Sequence, residues 1–263
     1  INDWDVSSVS DMSNLFKNKT ALFTGDISNW DVSNVTNMSG MFWEALGVFG
    51  SERFLNWDVS SVTDMSDMFK RHRFNEFNLS NWNVSNVTTM KGMFSQSSWS
   101  GQNPNVTGWD VSNVTDMAGM FSRMVSFNQD IRNWNVSSVT DMSNMFADTY
   151  SFDQNISGWN ISNVTNMENM FLDTEQVQWD GLGLSDENKC AIHTSFSSNS
   201  NWPYDWSDLC PGPTPITQDN IQAAVDLWVS DQASAEATYG HISGWDVSLI
   251  TDMSDLFRNK NTF

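Results

Sequence analysis

The side chains able to do chemistry in this chain are mostly carboxylates and carboxamides. Aspartate and glutamate number 32 against 12 lysines and arginines, giving a formal net charge of −20. Paired carboxylates can act as general acid and base, so a hydrolase is the first chemistry to weigh. The three histidines, His72, His193 and His241, lie in separate segments. No H-E-x-x-H, G-x-S-x-G, P-loop or dinucleotide-type glycine pattern occurs. The acidic residues recur in register instead. One column runs Asp5, Asp31, Asp58, Asn83, Asp110, Asn135, Asn160; another runs Asp11, Asn37, Asp64, Thr89, Asp116, Asp141, Asn166. Such a distribution is structural, and no enzymatic activity is expected. Its plain reading is carboxylates accepting backbone N–H bonds in turns, with asparagine diluting the repulsion. Its sharper alternative is Ca²⁺ held between repeats by residues such as Asp110, Asp116 and Asp141, since clustered oxygens suit that ion.

Asparagine offers a second chemistry. N-x-[ST] occurs at Asn18, Asn34, Asn37, Asn78, Asn83, Asn86, Asn105, Asn113, Asn135, Asn155, Asn160 and Asn163. In a secreted eukaryotic protein each is an acceptor for an N-linked glycan. Many follow from the repeat consensus itself. The better candidates fall in its variable part: Asn18, Asn78, Asn105 and Asn155.

The elements that position these columns are repeats. Trp4, Trp30, Trp57, Trp82, Trp109, Trp134 and Trp159 each open W-[DN]-[VI]-S-x-[VI]-[ST]-x-M-x-x-[ML]-F, and Trp245 opens an eighth copy. Length varies only between that Phe and the next Trp, as expected of a stacked core segment joined by surface bends. Trp and Val have the spacing of a short strand, and Thr-Asp-Met-Ser-Asn-Met-Phe at 140–146 reads as a capped helical turn with Met142, Met145 and Phe146 on one face. The expected fold is an α/β repeat, a leucine-rich-repeat-like solenoid of about 25-residue units, each with short strands plus a helical turn. The Trp and Met columns are its core.

Residues 1–171 are the expected solenoid and 172–210 its C-terminal cap. Cys190 and Cys210 in that loop-rich cap suggest a disulfide and an oxidising compartment, with a free-thiol pair as the alternative. Residues 211–216, rich in proline, read as a semi-rigid linker. Over 217–240 an amphipathic helix is predicted, capped by Thr217 or Asp219, with Ile221, Ala224, Val225 and Trp228 on one face. Residues 242–263 then restart the repeat: ISGWDVSLITDMSDLFRNK at 242–260 matches INDWDVSSVSDMSNLFKNK at 1–19, and both have Leu-Phe where the other copies have Met-Phe. Segment 217–240 therefore reads as the N-terminal cap of a next module, and the chain as one module and the start of another, from a tandem array or a polymer.

The run W-D-V-S-x-V-T-D-M-S-x-M-F, followed by F-N-Q-D-I, resembles the BspA-like leucine-rich-repeat surface proteins, most clearly at 127–146 and 152–171. Segments 185–210 and 217–245 resemble end caps of its algal-type members. The resemblance implies a secreted or cell-surface solenoid with structural or adhesive roles, and no enzymatic site to carry over.

Composition adds exclusions. The acidic balance argues against nucleic acid, which needs a basic surface. No apolar run approaches the roughly 20 residues that span a bilayer. Aromatics at 13% are unlike a disordered acidic chain. Two functions are then in view: modules self-associated or covalently joined head to tail in a glycosylated extracellular fibre, or an adhesin that uses exposed aromatics such as Trp43 and Trp99 to bind a glycan or protein.

Overall fold

A computed structural model describes residues 3–19, 25–45, 56–74, 79–99, 104–172 and 183–260, without the side chains at 73, 74, 98 and 99. The chain divides into two compact units, residues 1–209 and 210–263.

In the first unit the repeats stack as coils built almost wholly from turns. The backbone explains how. Along Met12–Lys19, alternate N–H groups go to different places. Leu15, Lys17 and Lys19 close turns onto the carbonyls of Met12, Asn14 and Phe16, three residues back. Met12, Asn14, Phe16 and Asn18 instead donate to Asn37, Ser39, Met41 and Trp43 of the next coil, at 2.8–2.9 Å. In the other direction Thr36 and Asn37 donate to Ser10. The scheme recurs from coil to coil, so buried backbone groups are paired without helix or sheet. Parallel bridges run through Asp11, Asn37, Asp64, Thr89, Asp116, Asp141 and Asn166.

The α/β leucine-rich-repeat expectation is therefore overturned. Among the described residues no repeat contains a helical turn, and regular strand is a two-residue pair, β1 (Arg73–Phe74) beside β2 (Ser98–Trp99). The segment 140–146 is not a helix because Asn144 has φ 57°. Every coil has such a residue there: Asn14, Gly40, Asp67, Gly92, Gly119, Asn144, Asn169 and Asp255. All are Asn, Gly or Asp, the types that best tolerate the left-handed region. A right-handed helix cannot pass through it.

The apolar columns form one continuous core. Trp30, Trp57, Trp82, Trp109, Trp134 and Trp159 are buried, as are the columns from Val32 to Ile161 and from Met38 to Met167. Phe16, Phe42, Phe69, Phe94, Phe121, Phe146 and Phe171 stack face to face, 5.5–5.9 Å between centroids. Burying each large side chain contributes roughly 1.5–3 kcal/mol. No coil could bury these residues alone.

Past the last coil comes helix α1 (Asp186–Phe196), which has Ser185 as N-cap, acidic residues in its first turn, and Ile192 and Phe196 buried. Its Ser195 hydroxyl donates to Ser157 O, and Asn199 Nδ2 donates to Ile161 O and Val164 O. Phe171, at the end of the phenylalanine stack, meets Trp202, Tyr204 and Trp206. Cys190 and Cys210 are disulfide-bonded.

In the second unit the single expected helix is two: α2 (Ile221–Ser230) and α3 (Gln232–Tyr239), broken at Asp231, whose side chain caps α3. Ile221, Ala224 and Val225 are buried as expected, joined by Ile216 and Leu256. Trp228 packs edge-on against His241 and Trp245. The N-cap of α2 is Asn220, with no side-chain cap bond, not Thr217 or Asp219.

Candidate functional site

The aspartate columns do local structural work. Asp5 Oδ1 accepts from Ser7 N, Asp31 from Ser33 N, Asp58 from Ser60 N and Asp246 from Ser248 N, at 2.9–3.1 Å. Hydrogen bonds from the Ser7 hydroxyl and backbone hold the Asp5 carboxyl below its ordinary pKa, and Ser33 and Ser60 act likewise on Asp31 and Asp58. The calcium candidates make the same kind of turn bond. Asp110 accepts from Ser112 N, Asp116 from Ala118 N and Asp141 from Ser143 N, while Asp141 Oδ2 takes Asn166 Nδ2. Among the described residues no group of three or more His, Cys, Asp or Glu is placed to hold a metal ion.

The sequons separate by what their amide nitrogen does. Asn34, Asn86, Asn113 and Asn163 donate Nδ2 to Ser7, Ser60, Ser85 and Ser137 carbonyls of the preceding coil, at 2.7–2.8 Å. Asn37 donates to Asp11 Oδ2. Asn105 and Asn155 are exposed and use Oδ1 alone in their described bonds, accepting from Thr107 and Ser157. Asn18 is exposed at φ 61°. Asn78 lies outside the described residues.

The histidines are not brought together into a reaction centre. His72 is buried against Phe42 and Phe69. His193 Nδ1 accepts from Trp202 Nε1 at 3.2 Å. His241 is exposed and caps the turn at Ile242–Gly244 by accepting from Ser243 N. Trp43 is half-buried, with Lys17 and Lys70 Nζ 3.7 and 4.6 Å from its ring centre. It packs with neighbouring coils and does not stand free as a binding platform. The side chain of Trp99 lies outside the described residues.

What the structure does bring together is a way of ending a stack. In the second unit, Trp245–Lys260 forms a coil like those of the first, and α2 with its preceding turn covers the side on which a preceding coil would sit. Gln218 Oε1 accepts from Thr251 N and Asp252 N at 2.9 and 3.0 Å, and its Nε2 donates to Asp252 O at 2.8 Å. Gln222 Nε2 donates to Leu256 O at 3.2 Å. In the first unit the equivalent groups are bonded by the neighbouring coil's backbone: Thr36 and Asn37 N–H go to Ser10 O, Met12 N–H to Asn37 O, and Phe16 N–H to Met41 O. Two glutamine side chains thus stand in for a coil's peptide groups. Lys260 pairs with Asp226 of α2, and Leu256 is buried in the apolar cluster. Sequence reasoning found the apolar face of α2 but missed these glutamines, although Gln218 and Gln222 share a helical i, i+4 spacing.

The coil at Trp4–Lys19 has no such cover among the described residues. Trp4 is 60% and Leu15 42% exposed. Six of the eight large exposed apolar residues described belong to this coil or to the one at 245–260, the latter contributing Val247, Leu249, Met253 and Phe257. No helix among the described residues is long and apolar enough to cross a membrane.

One family model matches the chain four times in tandem, over residues 1–49, 46–103, 98–202 and 229–263. No curated protein matches it, and no solved structure does. The four matched stretches follow the coils and take in most of the sequence, so the chain belongs to the family described as Mycoplasma protein of unknown function, DUF285.

Proposed function

We propose that this chain is a non-enzymatic structural module of a secreted or cell-surface fibre, in which such modules follow one another head to tail. The observation that carries this is the restart of the module within the chain. The coil at 245–260 repeats the coil at 4–19 down to its Leu-Phe pair and its final lysine, and it has its own helical cover. The acidic surface keeps neighbouring fibres apart. The disulfide suits an oxidising, extracellular setting. The resemblance to BspA-like surface proteins points the same way.

N-linked glycans at Asn18, Asn105 and Asn155 would add to that separation. Electron microscopy of the native source tests the fibre, and monodisperse short particles at all concentrations count against it. Intact mass before and after glycosidase treatment tests the glycans, and no mass shift removes them.

A further inference from the structure

The chain closes the last coil of the first unit itself, with helix α1 and the turn that follows. Between that coil and its cover lies a groove of about 490 Å³, within the roughly 300–1,000 Å³ of small-molecule sites. One wall comes from 159–165 and the other from 195–201. The cap wall is firmly held. Asn199 Nδ2 donates to Ile161 O and Val164 O, Asn199 Oδ1 accepts from Asn201 N, and the Ser195 hydroxyl donates to Ser157 O, all at 2.7–3.0 Å.

The coil wall carries acceptors that the cap does not use. Inside the stack, Ser137 O takes the Asn163 amide, and Thr140 O takes Thr165 N, Asn166 N and the Thr165 hydroxyl. The corresponding oxygens of the last coil, Ser162 O and Thr165 O, point the same way, toward the cap, and no described residue bonds them. Asn160, Ser200 and Asn201 add amide and hydroxyl groups to the lining. None of the eleven lining residues carries a charge, in a chain of net charge −20.

These groups select a ligand by chemistry. An apolar molecule would strip water from the carbonyls and amides and return no hydrogen bond. An ion would find no counter-charge, and an anion would be repelled by the chain as a whole. A peptide strand needs backbone donors as well as acceptors. The N–H groups here are already bonded, Ser162 N to Asn160 Oδ1, Val164 N to Ile161 O and Thr165 N to Thr140 O. Sugar hydroxyls both donate and accept, so they match carbonyl oxygens on one wall and amides and hydroxyls on the other.

We propose that this groove is a binding site for a neutral saccharide. Ring hydroxyls donate to Ser162 O and Thr165 O, and others exchange hydrogen bonds with Ser200 and Asn201. The site goes beyond the fibre reading, since it serves a single module as well as an array.

The test is ligand-observed saturation-transfer NMR on the full chain, made in a host that adds no glycans. The probes are cellobiose, mannobiose, N,N′-diacetylchitobiose and acetyl-tetraglycine amide. Cellobiose stands for a wall glucan, and the other two sugars for the arms and core of a protein-linked glycan. At least one disaccharide should bind saturably, with a dissociation constant of about 1 mM or tighter. Asn201→Ala should weaken that binding about fivefold, the loss of one hydrogen bond. Ser162→Trp and, from the opposite wall, Ser200→Trp replace exposed side chains and fill the groove. Each should abolish binding while moving the melting temperature by no more than about 2 °C. Absence of binding by all three disaccharides overturns the proposal, as does binding that survives both tryptophans. Saturation by the peptide alone overturns it too, and assigns the groove to an extended chain.

Discussion

The indole Nε1 of Trp134 donates to the carbonyl oxygen of Val106 at 3.2 Å, joining two coils across the core. The same bond links Trp57 to Ile27, Trp109 to Leu79 and Trp159 to Ile131. The tryptophan column is therefore hydrogen-bonded along the stack as well as packed. Trp134→Phe removes one of the two donors to Val106 O, which the Trp109 N–H also reaches at 3.2 Å, and leaves a gap in the ring stack, and should destabilise the first unit by about 1–3 kcal/mol. Chemical denaturation reads this directly, and a loss under ~0.5 kcal/mol would show that the Trp109 N–H alone satisfies the carbonyl and that the gap closes.

Gly119 and Gly92 occupy equivalent left-handed positions at φ 63° and 61°. A Cβ on Gly119 meets nothing within 4 Å, whereas one on Gly92 runs into the Asp67 carboxylate, which is ion-paired with Lys70. Gly119→Ala should therefore cost about 1–2 kcal/mol, the backbone strain alone. Gly92→Ala should cost more. Equal melting shifts for the two would mean that Asp67 moves aside freely.

Several carboxyls are held below their ordinary pKa by turn hydrogen bonds. Asp130 goes furthest, to about 2, through the Arg132 side chain and then its backbone N–H. Asp11 and Asp252 follow through Ser13 and Ser254. A carboxyl depressed in the folded state stabilises the fold above its unfolded pKa, and that stabilisation is lost as pH falls through the folded value. Melting temperature should stay level down to about pH 4.5 and then fall between about pH 4 and pH 2. A rise on acidification would mean that relief of repulsion in a chain of charge −20 outweighs the lost turn bonds.

Gln218 makes its bonds to Thr251 and Asp252 with both atoms of one amide. Gln218→Leu keeps a similar volume and removes them all. The second unit should lose about 1–3 kcal/mol, seen as faster hydrogen exchange at Thr251 and Asp252. Gln218→Glu keeps the acceptor and should retain protection of those two amides better than leucine does. Equal protection in the two variants would show that Gln218 is not what holds the edge.

The repeat, its phase and its core columns are legible in the sequence because stacking requires the same side chain at the same height in every coil. Trp30, Met38 and Phe42 recur as Trp134, Met142 and Phe146, and each set is buried. The restart at Trp245 and an apolar helical face near Ile221 are legible for the same reason. What misled was local pattern. Met142, Met145 and Phe146 have helical spacing, but Asn144 turns the chain left-handed, and a three-residue turn brings Met145 back to Met142. The Asn/Gly/Asp column carried that signal.

Partnership between distant segments was decided by the tertiary structure. That Asn34 donates its amide to Ser7 O while Asn105 Oδ1 accepts from Thr107 N follows from which carbonyl the preceding coil presents. That two glutamines replace a peptide edge follows from where α2 meets Asp252 and Leu256. Periodicity reports what each residue shares with its equivalents, and hydrogen-bond partners depend on what lies across the gap. The first is written along the chain, and the second exists only once the coils are stacked.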